Sequence, residues 1–108
     1  MDHPPVSVVD VTLTGTLDDL AQRGFGARFG VVGDALRAVE GGKTFRADEL
    51  TIRGYYRFEG VSDPDDMSIV YAIESRDGTR GTLVDAFGVY ADPAVGAVLR
   101  NIPIRLAV

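Results

Sequence analysis

Residues 50–90 read LTIRGYYRFEGVSDPDDMSIVYAIESRDGTRGTLVDAFGVY and carry the clearest extended pattern in the chain. From Leu50 to Glu59 alternate residues differ in character. Strict alternation sets Ile52, Tyr56 and Phe58 on one side and Arg53, Tyr55, Arg57 and Glu59 on the other. Ser62-Asp63-Pro64-Asp65-Asp66 has the turn chemistry of a loop. Met67 to Ser75 resumes as a strand, Asp77-Gly78 signals a hairpin, and Thr82 to Val89 returns. The expected arrangement is a three-stranded antiparallel meander over about residues 50–90.

With Asp77-Gly78 as a two-residue turn, Ile73 faces Thr82, Tyr71 faces Val84 and Ile69 faces Ala86. Ala72 then faces Leu83, and Val70 faces Asp85. A longer loop from Arg76 to Gly81 would change this register. Both faces carry apolar groups, so helices or a second subunit should cover more than one side.

On the N-terminal side, Val6, Val8, Val9 and Val11 favour a strand interrupted by Asp10. A helix is expected over about residues 14–24. Thr14 or Thr16 would cap it, Asp18 and Asp19 would suit the positive end of its dipole, and Gly24 would take the αL position after it. Leu13, Leu17, Leu20 and Ala21 share one face, as an amphipathic helix laid on a sheet requires. Between Ala27 and Val39, Gly33-Asp34 suggests a hairpin of two short strands, while Ala35 to Glu40 is also acceptable helix composition. Gly41-Gly42 breaks either element. Asp92-Pro93 starts a second helix, expected over about 93–101, with Val95, Val98, Leu99 and Ile102 as its apolar stripe. Pro103 stops it and leaves Ile104 to Val108 as an apolar tail that must pack somewhere.

These elements describe one α+β domain with an antiparallel sheet and two helices. At 108 residues the chain can bury one core, and 45% apolar with 25% charged residues is ordinary globular composition. Sixteen acids against eleven bases leave a formal charge of −5, which repels phosphate backbones; nucleic acid is not an expected partner. Ten of the bases are arginines, and they do not cluster along the sequence. The absence of cysteine removes disulfides and thiolate chemistry, and one histidine, His3, cannot furnish a histidine-based zinc site. No apolar run approaches the roughly 20 residues of a membrane helix. The opening residues lack a basic-then-apolar leader, so a cytoplasmic location and no membrane partner are expected.

Motifs that resemble nucleotide or metal sites fail on spacing. Gly42-Lys43-Thr44 resembles the end of a phosphate-binding loop, but Arg37 stands where its first glycine belongs and a strand should follow. Gly24-Phe25-Gly26 lacks the third glycine of a dinucleotide fingerprint and follows a helix. Asp63 and Glu74 have calcium-loop spacing, yet Ser68 occupies the obligatory glycine position. Loose divalent-metal binding by Asp63, Asp65 and Asp66 stays open beside their role as turn formers. No cofactor is expected.

Asp85 interrupts the apolar run Leu83-Val84 and Ala86-Phe87. A carboxylate there must be wet, paired or hydrogen-bonded, because burial alone costs several kcal/mol. Arg57 is the expected partner, and a bond to loop backbone is the alternative. A ligand site at one end of the meander would use Arg57, Glu59, Asp85 and Tyr90, with Asp63 and Asp66 beside them.

Tyr56-Arg57-Phe58-Glu59-Gly60, Ser62-Asp63-Pro64-Asp65-Asp66 and Leu83 through Asp92 together resemble a family of small uncharacterised bacterial proteins sometimes labelled phosphoribosylpyrophosphate synthetase. The resemblance covers about half the chain, and the segment from Gly26 to Lys43 departs from it. It implies an α+β fold and transfers no catalytic residue, since the chain lacks the acidic Asp-Asp-x-x-x-Thr-Gly-Gly loop of such synthetases. Two functions follow from the residues. One is a non-enzymatic interaction or regulatory module that self-associates through a sheet face or the tail, hence a homo-oligomer. The other is a small-molecule, phosphate or divalent-metal-binding protein using the acidic/arginine site.

Overall fold

The computed structural model describes residues 12–58, 68–86 and 91–106. Helix α1 (Leu13–Gln22) leads into strands β1 (Ala27–Val32), β2 (Ala35–Ala38) and β3 (Thr44–Arg46). A 3-10 turn at Ala47–Glu49 connects to β4 (Leu50–Phe58), β5 (Ser68–Ser75) and β6 (Arg80–Ala86), and α2 (Pro93–Leu99) closes the order. The six strands form one sheet in the order β3-β2-β1-β6-β5-β4. The strand expected at Val6 to Val11 lies outside the described residues.

The sheet is mixed, which corrects the antiparallel expectation. β1 runs parallel to β6, pairing Ala27 with Gly81 and Arg28 with Thr82, while the other neighbours are antiparallel. Parallel neighbours need a long connection. Here that connection is the whole run from β2 to β5, and nothing local in β1 or β6 announces it.

Ala35 to Ala38 is strand, which settles the open choice. Gly33 has φ +61 and is the sole positive-φ residue of the two-residue turn, the geometry of a type II′ hairpin. Leu36 and Ala38 turn inward beside Phe29 and Phe45, while Arg37 points out. That is period two, and it outweighs helix propensity. β3 follows Gly42-Lys43, as a strand after the rejected phosphate-loop motif should.

The β5–β6 register differs from the expected one by one residue. Tyr71 faces Leu83, Ile69 faces Asp85, and Ser75 N–H donates to Thr79 O at 2.8 Å. The loop therefore has three residues, Arg76, Asp77 and Gly78, with Gly78 at φ +92. Asp77 selects this longer loop: its carboxylate accepts from Thr79 N–H at 3.0 Å and from the Ser75 hydroxyl, and it meets Lys43 from the β2–β3 connection. These partners hold Asp77 well below the ordinary carboxylate range, the lysine contributing most, then the serine and then Thr79. Its folded pKa is depressed, so the stabilisation is complete above the unfolded value of about 3.9 and fades as pH falls below it. D77N should therefore lower the urea midpoint at neutral pH. The gap to the parent should narrow as pH falls from about 4 toward about 2, and a gap independent of pH would contradict this account.

A β-bulge at Arg53 corrects the second pattern. Ile52 pairs with Ile73 but Gly54 pairs with Ala72, so one extra residue enters β4 and the alternation slips. Ile52 consequently joins the core under α2, with Leu50, Ile73, Leu83, Phe29, Leu36, Val95, Val98 and Ile102. Tyr56 and Phe58 pack on the opposite face with Leu20, Phe25, Val70 and Ala72, alongside Leu13 and Leu17 of α1. Arg53 moves to the α1 face, where it pairs with Glu74 at 3.5 Å. The two helices thus lie on opposite sides of the sheet, α1 against β5 and β6 and α2 against β1 and the core it shares with β4, β5 and β6.

Helix ends follow the expected chemistry with shifts. α1 starts at Leu13, so its cap is Thr12, whose hydroxyl accepts from Gly15 N–H at 2.9 Å; Thr14 and Thr16 lie inside the helix. Asp18 and Asp19 therefore miss the first turn, and Asp19 instead pairs with Arg23 at 3.2 Å. Ala21 is exposed, and Gly24 takes φ +101 as expected. Asp92 caps α2 by accepting from Ala94 N–H at 2.9 Å, with Pro93 in the first turn. The helix ends at Leu99, two residues short of expectation.

The tail docks on the outer edge of β4. Ile104 bridges Ile52 in parallel: Ile52 N–H donates to Pro103 O, and Arg105 N–H donates to Ile52 O, each at 2.8 Å.

Candidate functional site

The observed register brings Arg57 and Asp85 onto one face. Arg57 pairs with Ile69 and Ile69 with Asp85, so the two charged residues stand one strand apart, about 10 Å between their Cα atoms. The row beside them is Tyr55, Tyr71 and Leu83. In the expected register Asp85 would have faced Val70, on the other side of the sheet from Tyr71. The one-residue slip had set Tyr71 on the other face, whereas Tyr55 already shared a side with Arg57.

Asp85 is held by backbone. Its Oδ1 accepts from Ala86 N–H at 2.8 Å and from Asp92 N–H at 3.3 Å. The second bond ties the end of β6 to the residue that caps α2, so the acid interrupting the apolar run serves the strand-to-helix junction. Its charge is still felt nearby. The Tyr71 phenol is pushed above its usual range, first by burial, then by Asp85 and then by Tyr55. This face therefore offers Arg57, a carboxylate already engaged by two amides, and a phenol that stays protonated through neutral pH.

Glu59, Asp63, Asp65, Asp66 and Tyr90 lie outside the described residues. Among the described residues no group of three or more His, Asp or Glu side chains is placed to hold a metal. No helix among them is long and apolar enough to cross a membrane.

The chain matches no protein-family profile, no curated protein and no solved structure.

Surface features outside the expected site stand out on two sides. At the β4 edge, a cleft of about 280 Å³ is lined by Arg53, Gly54, Tyr55, Tyr56 and Leu106. Tyr55 is 47% and Leu106 63% exposed, and Ile104 is exposed beside them. On the uncovered side of the β1–β2 hairpin, a cleft of about 310 Å³ is lined by Gly30, Val31, Val32, Arg37 and Val39. Sequence alone could not find either, because both depend on which strand becomes an edge and which face a helix leaves bare.

Proposed function

We propose that the protein is a non-enzymatic interaction module that self-associates through the outer edge of β4 and the C-terminal tail. The carrying observation is the partial cover of that edge. β4 has nine residues, yet among the described residues the tail bridges it only at Ile52, leaving exposed Tyr55, Ile104 and Leu106 beside the cleft. A long edge with unpaired backbone groups is a template for another chain, and a rim of large apolar side chains supplies surface to bury. A second copy is the natural occupant, because a two-fold contact buries the same apolar rim from both sides at once. Asp85 supports the non-catalytic reading, since its Oδ1 accepts from the Ala86 and Asp92 amides and so fastens β6 to α2.

Sedimentation velocity at about 100 μM should give the mass of a dimer that dissociates on dilution. L106D should sediment as a monomer with an unchanged melting temperature, because Leu106 is exposed in the single chain. A parent protein that stays strictly monomeric at that concentration would sink the reading.

A further inference from the structure

The arginines scattered along the sequence are gathered by the fold. In the β1–β2–β3 half of the sheet, one face packs Phe29, Leu36, Ala38 and Phe45 into the core, and α1 packs against β5 and β6, away from the other. That other face carries Arg28, Arg37 and Arg46. Val39 N–H donates to Arg28 O, Gly30 pairs with Arg37, Arg37 with Thr44 and Ala35 with Arg46. Each arginine is therefore displaced by two residues from the next on the neighbouring strand. The three form a diagonal stripe with steps of about 7 to 8 Å.

Surroundings of the stripe are open. Val32 is 48% and Val39 66% exposed, and among the described residues no atom lies within 4 Å of where a Gly30 side chain would begin. Among the described residues no carboxylate lies within ion-pairing distance of Arg28 or Arg37. Arg46 reaches Asp48 at 3.6 Å at the exposed surface, a pair that competes weakly with a better partner. A local basic stripe on a chain of net charge −5 is a departure from the rest of the surface.

We infer that this face binds an extended acidic peptide of a partner protein, with carboxylates at alternate positions and apolar residues between them. Alternate residues of an extended chain lie about 6.6 Å apart on one side, which matches the arginine steps, and each guanidinium can take a carboxylate in a two-pronged bond. Val32 and Val39 give the intervening apolar side chains a place to rest. A second copy stacked here by a two-fold would bring arginine against arginine, so this face is separate from the self-association edge. Nucleic acid fits poorly: single strands need aromatic platforms for their bases, and among the described residues this face has none.

The probe is a fluorescein-labelled peptide, Gly-Asp-Val-Asp-Val-Asp-Gly, titrated with the full chain and read by anisotropy. Saturable binding is expected, weakening several-fold between about 50 and about 200 mM salt. The exposed double variant R28E/R37E should lose at least about tenfold in affinity while keeping its melting temperature, and R105E should bind as the parent does. L106D should also bind normally, which separates this face from the dimer edge. The inference is overturned by no saturation up to about 1 mM protein, or by equal binding of a Gly-Val-Val-Asp-Asp-Asp-Gly isomer. Full inhibition by inorganic phosphate at the same concentration would mean a simple anion site instead, and tighter binding of a thymidine oligonucleotide would mean nucleic acid; either outcome also overturns it.

Discussion

Replacing Gly81 by alanine is expected to destabilise the protein by about 3 kcal/mol or more, the upper range for forcing atoms into a filled space. Gly81 sits where β6 meets β1, paired with Ala27. A Cβ built there lies 2.7 Å from the Ala27 carbonyl carbon and 2.9 Å from the Ala27 Cβ, and it overlaps the carbonyl oxygen as well. Backbone cannot swing aside as a lysine tip can. The two strands must separate, and their parallel pairing has just two residue pairs to lose. Since domains of this size hold about 5–15 kcal/mol in total, the melting temperature should fall by more than about 10 °C. Gly30 provides the contrast: it lies in β1 with ordinary φ and open space around it. G30A should leave stability unchanged or raise it by about 0.4–1 kcal/mol through the unfolded chain. Thermal melts of the pair check the argument, and a G81A protein that melts with the parent would refute the close approach of β1 to β6.

Truncating Ile73 to alanine should cost about 3–5 kcal/mol, the range for a fully buried aliphatic whose cavity cannot collapse. Ile73 has no exposed surface and lies in the α2-side core between Ile52 on β4 and Gly81 on β6. Gly81 has no side chain to move into the vacated volume, and strand pairing on both sides restrains the backbone. Val84 is the matched control on the opposite face: it is partly exposed, and V84A should stay within about 0.5 kcal/mol. Urea unfolding with constant slope would separate a stability change from a change in the denatured state. Equal midpoints for I73A and V84A would mean that the α2-side core is not where the stability resides.

The same two positions show how the sheet holds its candidate surfaces. Gly81 lies at the seam where β6 meets β1, with Ile73 beside it on β5; α1 packs against β5 and β6, and among the described residues no helix packs on the outer face of the β1–β2–β3 half. The arginine stripe lies on that outer face, which among the described residues carries no helix. Asp85 works at the far end of the same strand, fastening β6 to α2 through the Asp92 amide.

Local chemistry made several elements legible. Alternation in 50–58 and 68–86, the Asp92-Pro93 start and the stripe of Val95, Val98 and Ile102 each depend on neighbours within a few residues. Side-chain period and cap geometry are local properties. Two errors came from single-residue events that the apolar pattern does not mark. The Arg53 bulge moved Ile52 to the other face, and the third loop residue moved Asp85 from beside Val70 to beside Ile69. Because the strand period is two, each slip exchanged whole faces. For that reason the expected register set Tyr71 on the face away from Asp85.

What the chain's own order of residues determined was composition-level and local: an α+β fold, a first amphipathic helix, a capped second helix, antiparallel neighbours between 50 and 86, and an acid at 85 that needed a partner. Tertiary structure alone decided that β1 lies parallel to β6, that β4 is an edge met by the tail, and that Arg28, Arg37 and Arg46 share one face. The first two outcomes join residues tens of positions apart, Ala27 with Gly81 and Ile52 with Ile104. Their free energy comes from burying surface against distant segments, and no local propensity or spacing encodes which distant segment that will be.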